Sequence, residues 1–135
     1  GISTSLMKGQ MGDDFMRVLF VCVGNTCRSQ MAEGWAKSHG LKAQSAGTHP
    51  GQSVAKNAIE VMAEKGIDIS NQTPTNIDDV DTESFDLIFS MGCGVSCPDI
   101  KFNDDWNLDD PYGGVLEKYR EIRDMIGSNV RQLIE

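Results

Sequence analysis

Long apolar runs are missing from this 135-residue chain: the longest, Val18 to Val23, spans six residues. A bilayer-crossing helix needs about 20 apolar residues, so no membrane partner is expected. Basic charge is scarce as well. Twelve Lys and Arg stand against 20 Asp and Glu, for a net charge of −8, which argues against nucleic acid or an anionic membrane as a partner. An anionic substrate must then be attracted locally. Residues 1–15 lack a charged segment followed by an apolar one, so no secretory leader is read there. They are expected to be a vector-derived or disordered extension, with Met7, Met11 and Met16 as possible starts, ahead of one domain over residues 16–135. Repeats, low-complexity tracts and internal linkers are lacking too. A cytoplasmic protein, expected to be a monomer, fits these absences.

What is present is the octapeptide Cys22-Val23-Gly24-Asn25-Thr26-Cys27-Arg28-Ser29. The run before it, Arg17 to Val21, is apolar and β-branched, as a strand buried on both faces should be. The run after it places Met31, Ala32, Trp35 and Ala36 on one helical stripe. A strand, a tight loop and a helix leave loop and first-turn N–H groups without intrahelical partners, converging on an anion at the helix N-terminus. Gly24 permits close approach and positive φ, and Asn25 tolerates the left-handed region, so successive N–H groups of Val23, Gly24, Asn25, Thr26, Cys27 and Arg28 can turn inward as a nest. The Arg28 fork can hold two oxygens of a tetrahedral oxyanion. Cys22, facing the helix dipole and the guanidinium, is set up as a thiolate nucleophile. Ser29 either hydrogen-bonds that sulfur or caps the helix.

The remaining pattern alternates strand and helix. Lys42 to Ala46 reads as a strand. Ser53 reads as the cap of a helix with the stripe Val54, Ala55, Ala58, Ile59 and Met62, ending near Gly66. Phe85 to Met91 reads as a third strand and Lys101 to Trp106 as holding a short fourth. Leu116, Tyr119, Ile122, Ile126, Val130 and Leu133 share one face of a long C-terminal helix. Strands separated by helices imply a parallel sheet with ligands bound beyond the strands' C-terminal ends. Cys22 and Met91-Gly92-Cys93 both fall at such ends and should be neighbours.

Cys22 to Ser29, extended through Gln30 to Trp35, resembles the active-site loop of the low-molecular-weight protein tyrosine phosphatase superfamily, most closely its thioredoxin-coupled arsenate reductase branch. The resemblance continues in Ser45-Ala46-Gly47-Thr48, in Ala58 to Ser70, and in Asp109-Asp110-Pro111, which matches the loop carrying the general acid. It implies a single-domain, three-layer α/β/α fold with a four-stranded parallel sheet. It further implies reduction of arsenate to arsenite, with phosphate or sulfate as site-occupying analogues and thioredoxin or another thiol as reductant. Asp110, directly before proline, would be the acid, and Asp109 its electrostatic support.

Neighbouring strand ends make Cys93-Gly94-Val95-Ser96-Cys97 informative. A phosphatase needs only Cys22, Arg28 and an acid, because water hydrolyses a thiophosphate. A reductase needs further thiols to displace arsenic from Cys22. By the resemblance, Cys22 is the nucleophile, Cys93 the first resolving thiol and Cys97 the second. The spacing of Cys93 and Cys97 is shorter than in some relatives, and Asp110-Pro111-Tyr112-Gly113 is closer to phosphatases, so a tyrosine phosphatase hydrolysing aryl phosphates is the alternative. A zinc site suits neither cysteine spacing, and no metal or cofactor is expected. Some reductases hold potassium on an asparagine, a glutamate, a serine and an aspartate; Asn25, Glu33 and Ser45 match, but Thr75 stands in place of the aspartate. Cys27 is expected to pack behind the loop or to serve as a backup redox partner. His39 is expected to cap the first helix at its C-terminus, and His49 to lie in a loop.

Overall fold

The structure, a computed structural model, describes residues 16–92 and 100–134. Cys93, Cys97 and the 1–15 extension lie outside the described residues. Strand β1 (Arg17–Cys22) is the centre of the molecule: five of its six residues are buried. Because successive side chains point to opposite faces, Val18, Phe20 and Cys22 enter one apolar cluster and Leu19 and Val21 another. Parallel β2 (Lys42–Gly47) and β3 (Leu87–Ser90) flank β1, and β4 (Asp104–Asp105) pairs with β3, giving the order β2-β1-β3-β4. The four-stranded parallel sheet is the one the alternation of elements implies.

Helices α1 (Arg28–Ser38), α2 (Lys56–Ala63) and α3 (Leu116–Ile134) contribute to the Phe20 cluster through Met31, Ala58, Met62, Tyr119, Ile122 and Ile126. The opposite face, with Leu19 and Val21, is covered by the 3-10 turn Ile77–Asp79 together with Val80, Phe85, Ile100 and Phe102. Among the described residues, the third layer is made of short turns and loop residues.

The starts of α2 and β3 differ from the sequence reading, whereas the short fourth strand falls inside the segment expected to hold it. Ser53 is exposed and is not the cap of α2; Ala55 occupies that position, with no side-chain hydrogen bond. The cause is tertiary: the Ala55 N–H donates to Thr26 O at 2.9 Å, holding the chain extended until Lys56. Strand β3 is shorter than Phe85 to Met91 because Phe85 closes a 3-10 turn on Thr82 O. β4 is two residues within Lys101 to Trp106. His39 is the C-cap of α1, its N–H reaching the Trp35 and Ala36 carbonyls.

Helices α2 and α3 are tied by one acidic residue. Glu64 accepts from Arg123 Nη1 at 2.6 Å and Arg120 Nη2 at 2.8 Å, while Arg123 also donates to Val61 O at 3.0 Å. These two guanidinium groups hold the Glu64 carboxyl well below its usual range, at about 2 against 4.5. A lowered folded-state pKa contributes stability above the unfolded value and loses it as pH falls through the folded one. The melting-temperature gap between the wild type and Glu64→Gln is therefore expected to narrow from about pH 5 to pH 2. Thermal melts across that range check it; a constant gap would mean that the carboxylate charge is not what joins the helices.

Candidate active site

The loop Cys22 to Arg28 leaves β1 and enters α1, and its backbone is held from outside. Five consecutive carbonyls accept hydrogen bonds from elsewhere. Thr48 N–H donates to Cys22 O at 3.1 Å, His49 to Val23 at 2.8 Å, Gly51 to Gly24 at 2.9 Å and Ala55 to Thr26 at 2.9 Å. The Gln30 side-chain amide donates to Asn25 O at 3.0 Å. With each carbonyl engaged outward, the N–H groups of this loop are left for the centre, which is the condition for an anion-binding nest. The left-handed residue is Asn25 (φ 53). Gly24 is not left-handed, and a Cβ there would meet only Thr26 Oγ1 at 3.5 Å. The glycine that close packing demands is Gly47, at the end of β2, where a Cβ would lie 2.5 Å from Val23 O.

Cys22 Sγ sits at the floor. The Asn25 backbone N–H donates to it at 3.1 Å, and Ser29 Oγ lies 2.8 Å away. Asn25 Nδ2 donates to Ser29 Oγ at 2.7 Å, so the serine proton is free for the sulfur. Asn25 Oδ1 in turn accepts from the Thr75 N–H at 2.8 Å. Of the two roles open to Ser29, hydrogen-bonding the sulfur is the one its position has. The N-cap of α1 is Cys27, and no side chain caps that helix.

Arg28 is buried, at 3% exposure. Its Nη1 donates to Leu108 O at 3.1 Å and its Nη2 lies 3.7 Å from Asp110 Oδ2. Among the described residues its Nε is buried without a partner. An unpaired buried donor of this kind costs about 1–3 kcal/mol, which an oxyanion in the loop would remove. Gly92, at φ 146, makes room for this arrangement: a Cβ there would fall 3.0 Å from Arg28 Nη1 and 2.6 Å from Leu108 O. Asp110 stands across the mouth, its Oδ1 accepting from the Tyr112 N–H at 3.0 Å. Asp109 pairs with Lys118 at 3.2 Å, anchoring the acidic loop to α3.

Cys22, Val23, Gly24, Asn25, Thr26, Cys27, Arg28 and Asp110 line one cleft of about 790 Å³. Ser29 lies behind it. Cys27 is a buried free thiol whose burial raises its pKa. The cleft also takes in residues the sequence reading left out of the site. Gln52, Ser53, Lys56 and Asn57 form its outer wall, with His49, and Tyr119 reaches in from α3. Tyr119 is hidden in sequence because its place on the helical stripe accounts for it as core. The Gln30 amide is missed because nothing in its own helix shows that its side chain turns back to the Asn25 carbonyl.

Among the described residues no cluster of three metal-ligating side chains occurs. Glu33, the one carboxylate of a potassium set, accepts from Ser45 Oγ at 2.6 Å and from Lys37 Nζ at 2.6 Å. Asn25 Oδ1 is engaged by Thr75. These donors do not fit an alkali cation, because the Lys37 ammonium already answers the carboxylate charge. Nor is any described helix long and apolar enough to cross a membrane.

A thiol under a nest of amides, a buried arginine and an aspartate at the mouth define a cysteine-dependent, oxyanion-handling α/β enzyme. Residues 17–96 match the low molecular weight phosphotyrosine protein phosphatase family, and the chain belongs to it. It is 40% identical over 126 residues to the glutaredoxin arsenate reductase of Synechocystis sp., covering 87% of this chain and 95% of that protein. It is 40% identical over 119 residues to an arsenate reductase of Staphylococcus aureus, covering 81% and 88%. A solved structure described as an arsenate reductase in the phosphate binding state superposes with a TM-score of 0.82 at 40% identity, covering 89% of this chain and 97% of that one.

Proposed function

We propose that this protein is an arsenate reductase that works through Cys22 and a thiol relay. The observation that carries the oxyanion part is the unpartnered Arg28 Nε, buried beside a thiol and an inward-facing loop. The relatives named arsenate reductase, and one of their structures described as phosphate-binding, support arsenate as substrate and phosphate as its analogue. The Cys22 thiolate attacks As(V). An arsenate oxygen leaves as water, its proton supplied by Asp110, and a sulfur–arsenic bond forms. Cys93 then attacks the Cys22 sulfur. The disulfide Cys22–Cys93 forms, the sulfur–arsenic electron pair stays on arsenic, and As(III) departs as arsenite. Cys97 attacks Cys93, frees Cys22 and leaves Cys93–Cys97 for an external dithiol. That reductant is a thioredoxin or another thiol protein such as a glutaredoxin, and the work is cytoplasmic.

A second reading, aryl-phosphate hydrolysis, is favoured by one observation: the cleft of about 790 Å³ extends well beyond an oxyanion, with Tyr112 67% exposed at its side. The two separate on disulfide chemistry. After one equivalent of arsenate, Cys97→Ser is expected to accumulate Cys22–Cys93, and Cys93→Ser to stop with arsenic on Cys22 and no such disulfide. Aryl-phosphate hydrolysis should be unchanged in both, since water releases Cys22 there. Peptide mass mapping reads the result. Fully reduced cysteines after arsenate, with brisk phosphatase turnover, would replace the reductase reading with the phosphatase one.

A further inference from the structure

Of the five carbonyls held outward from Cys22 to Thr26, four accept from backbone N–H groups and one, Asn25 O, accepts from a side chain, the Gln30 amide at 3.0 Å. A trans peptide holds its C=O and its N–H on opposite sides. The bond to Asn25 O therefore aims the next N–H, that of Thr26, toward the centre of the nest. Asn25 is also the left-handed residue of the loop (φ 53), a conformation that is strained outside glycine and persists only where the surroundings enforce it. Elsewhere in the loop that enforcement is main chain on main chain. At the Asn25–Thr26 peptide it rests on Gln30.

Gln30 is 0% exposed, and its amide is itself oriented. Gln72 Nε2 donates to Gln30 Oε1 at 2.7 Å and to Gln30 O at 3.1 Å. Both ends of this chain are backbone carbonyls, Gln30 O at one and Asn25 O at the other, and a carbonyl can only accept. The polarity of the chain is thereby fixed: Gln72 presents its NH2 group, and Gln30 receives it on Oε1 and keeps Nε2 for Asn25 O. Gln72 is anchored by its own N–H, which donates to the carbonyl of fully buried Ile69 at 3.1 Å. Three residues on, the Thr75 N–H donates to Asn25 Oδ1 at 2.8 Å. The segment between α2 and the 3-10 turn at Ile77 thus grips Asn25 twice, at its side chain directly and at its main chain through Gln30. We infer that Gln30, oriented by Gln72, is a positioning residue that keeps the Thr26 N–H turned on the bound oxyanion. This rests on the reading of the loop as an oxyanion nest.

Gln30→Met keeps a side chain of similar length and leaves Asn25 O without its donor. Hydrogen bonds to a charged acceptor are the strong ones, so affinity for inorganic phosphate is expected to fall about tenfold. Protection of Cys22 from iodoacetamide by phosphate measures that affinity, and amide NMR shows where it is lost. In the wild type the Thr26 amide resonance should move as phosphate is added. In Gln30→Met that movement should vanish, while those of Val23 and Gly24, aimed by the Thr48 and His49 backbone donors, persist. A merely structural role would lower the melting temperature and leave this pattern as it is in the wild type. Phosphate affinity within about twofold of the wild type, or an equal loss of movement at every loop amide, would overturn the positioning role. If no loop amide of the wild type moves with phosphate, the nest reading fails first and the role falls with it. Gln72→Ala removes the orienting donor from a half-buried position and should weaken phosphate about threefold, again with the change confined to Thr26. It also decides the matter should Gln30→Met not fold, since unchanged phosphate affinity in Gln72→Ala would overturn the role.

Discussion

Cys22→Ser is expected to lower arsenate reduction by about 10³-fold or more. The serine would occupy the same floor, under the Asn25 N–H and beside Ser29 Oγ. An alcohol there is a far weaker nucleophile than a thiolate, and its oxygen cannot form the disulfide that releases arsenite. Phosphate should still bind, because the loop amides and Arg28 are untouched. The measurement is arsenate-dependent NADPH oxidation with thioredoxin and its reductase, and again with glutaredoxin, glutathione and glutathione reductase. Retention of more than roughly a tenth of the activity would exclude Cys22 as the nucleophile.

Asp110→Asn is expected to cost about 10²-fold in turnover, the range that a positioned general acid supplies. Anion affinity should move the other way. Asp110 Oδ2 lies 3.7 Å from Arg28 Nη2, so its negative charge opposes any oxyanion held by that arginine. Replacing it with an amide should leave phosphate binding equal or tighter. Phosphate inhibition constants, measured beside turnover, separate the two effects. If binding is lost while the fold is intact, Asp110 holds the anion and does not supply the proton.

Much of the site was legible from the spacing of a few residues. Cys22 and Arg28 are six positions apart, and a strand-to-helix turn of that length admits few conformations. The thiol, the loop amides and the guanidinium are thereby kept within reach of one another. The parallel sheet was legible for a similar reason. Strands separated by helices can return to one sheet only by crossovers, which bring every strand's C-terminal end to the same edge. Asp110 was readable only through the resemblance of Asp109-Asp110-Pro111. Nothing local to that tripeptide says what it faces.

Where α2 begins was not legible, and the reason is physical. Ser53 is a sound N-cap by local rules, but a cap is worth about 1 kcal/mol, and the bond from the Ala55 N–H to Thr26 O draws the chain elsewhere. The outward pull on the loop carbonyls was equally invisible, since four of its five donors come from residues 48–55, far from the loop in sequence. The order and spacing of residues in this chain determined a thiol at a strand end, a loop shaped for an anion and a parallel sheet to carry them. Only the tertiary structure decided which groups hold that nest open, and that Tyr119 belongs to the cleft as well as the core. Those relations are made by atoms distant along the chain, which no local pattern records.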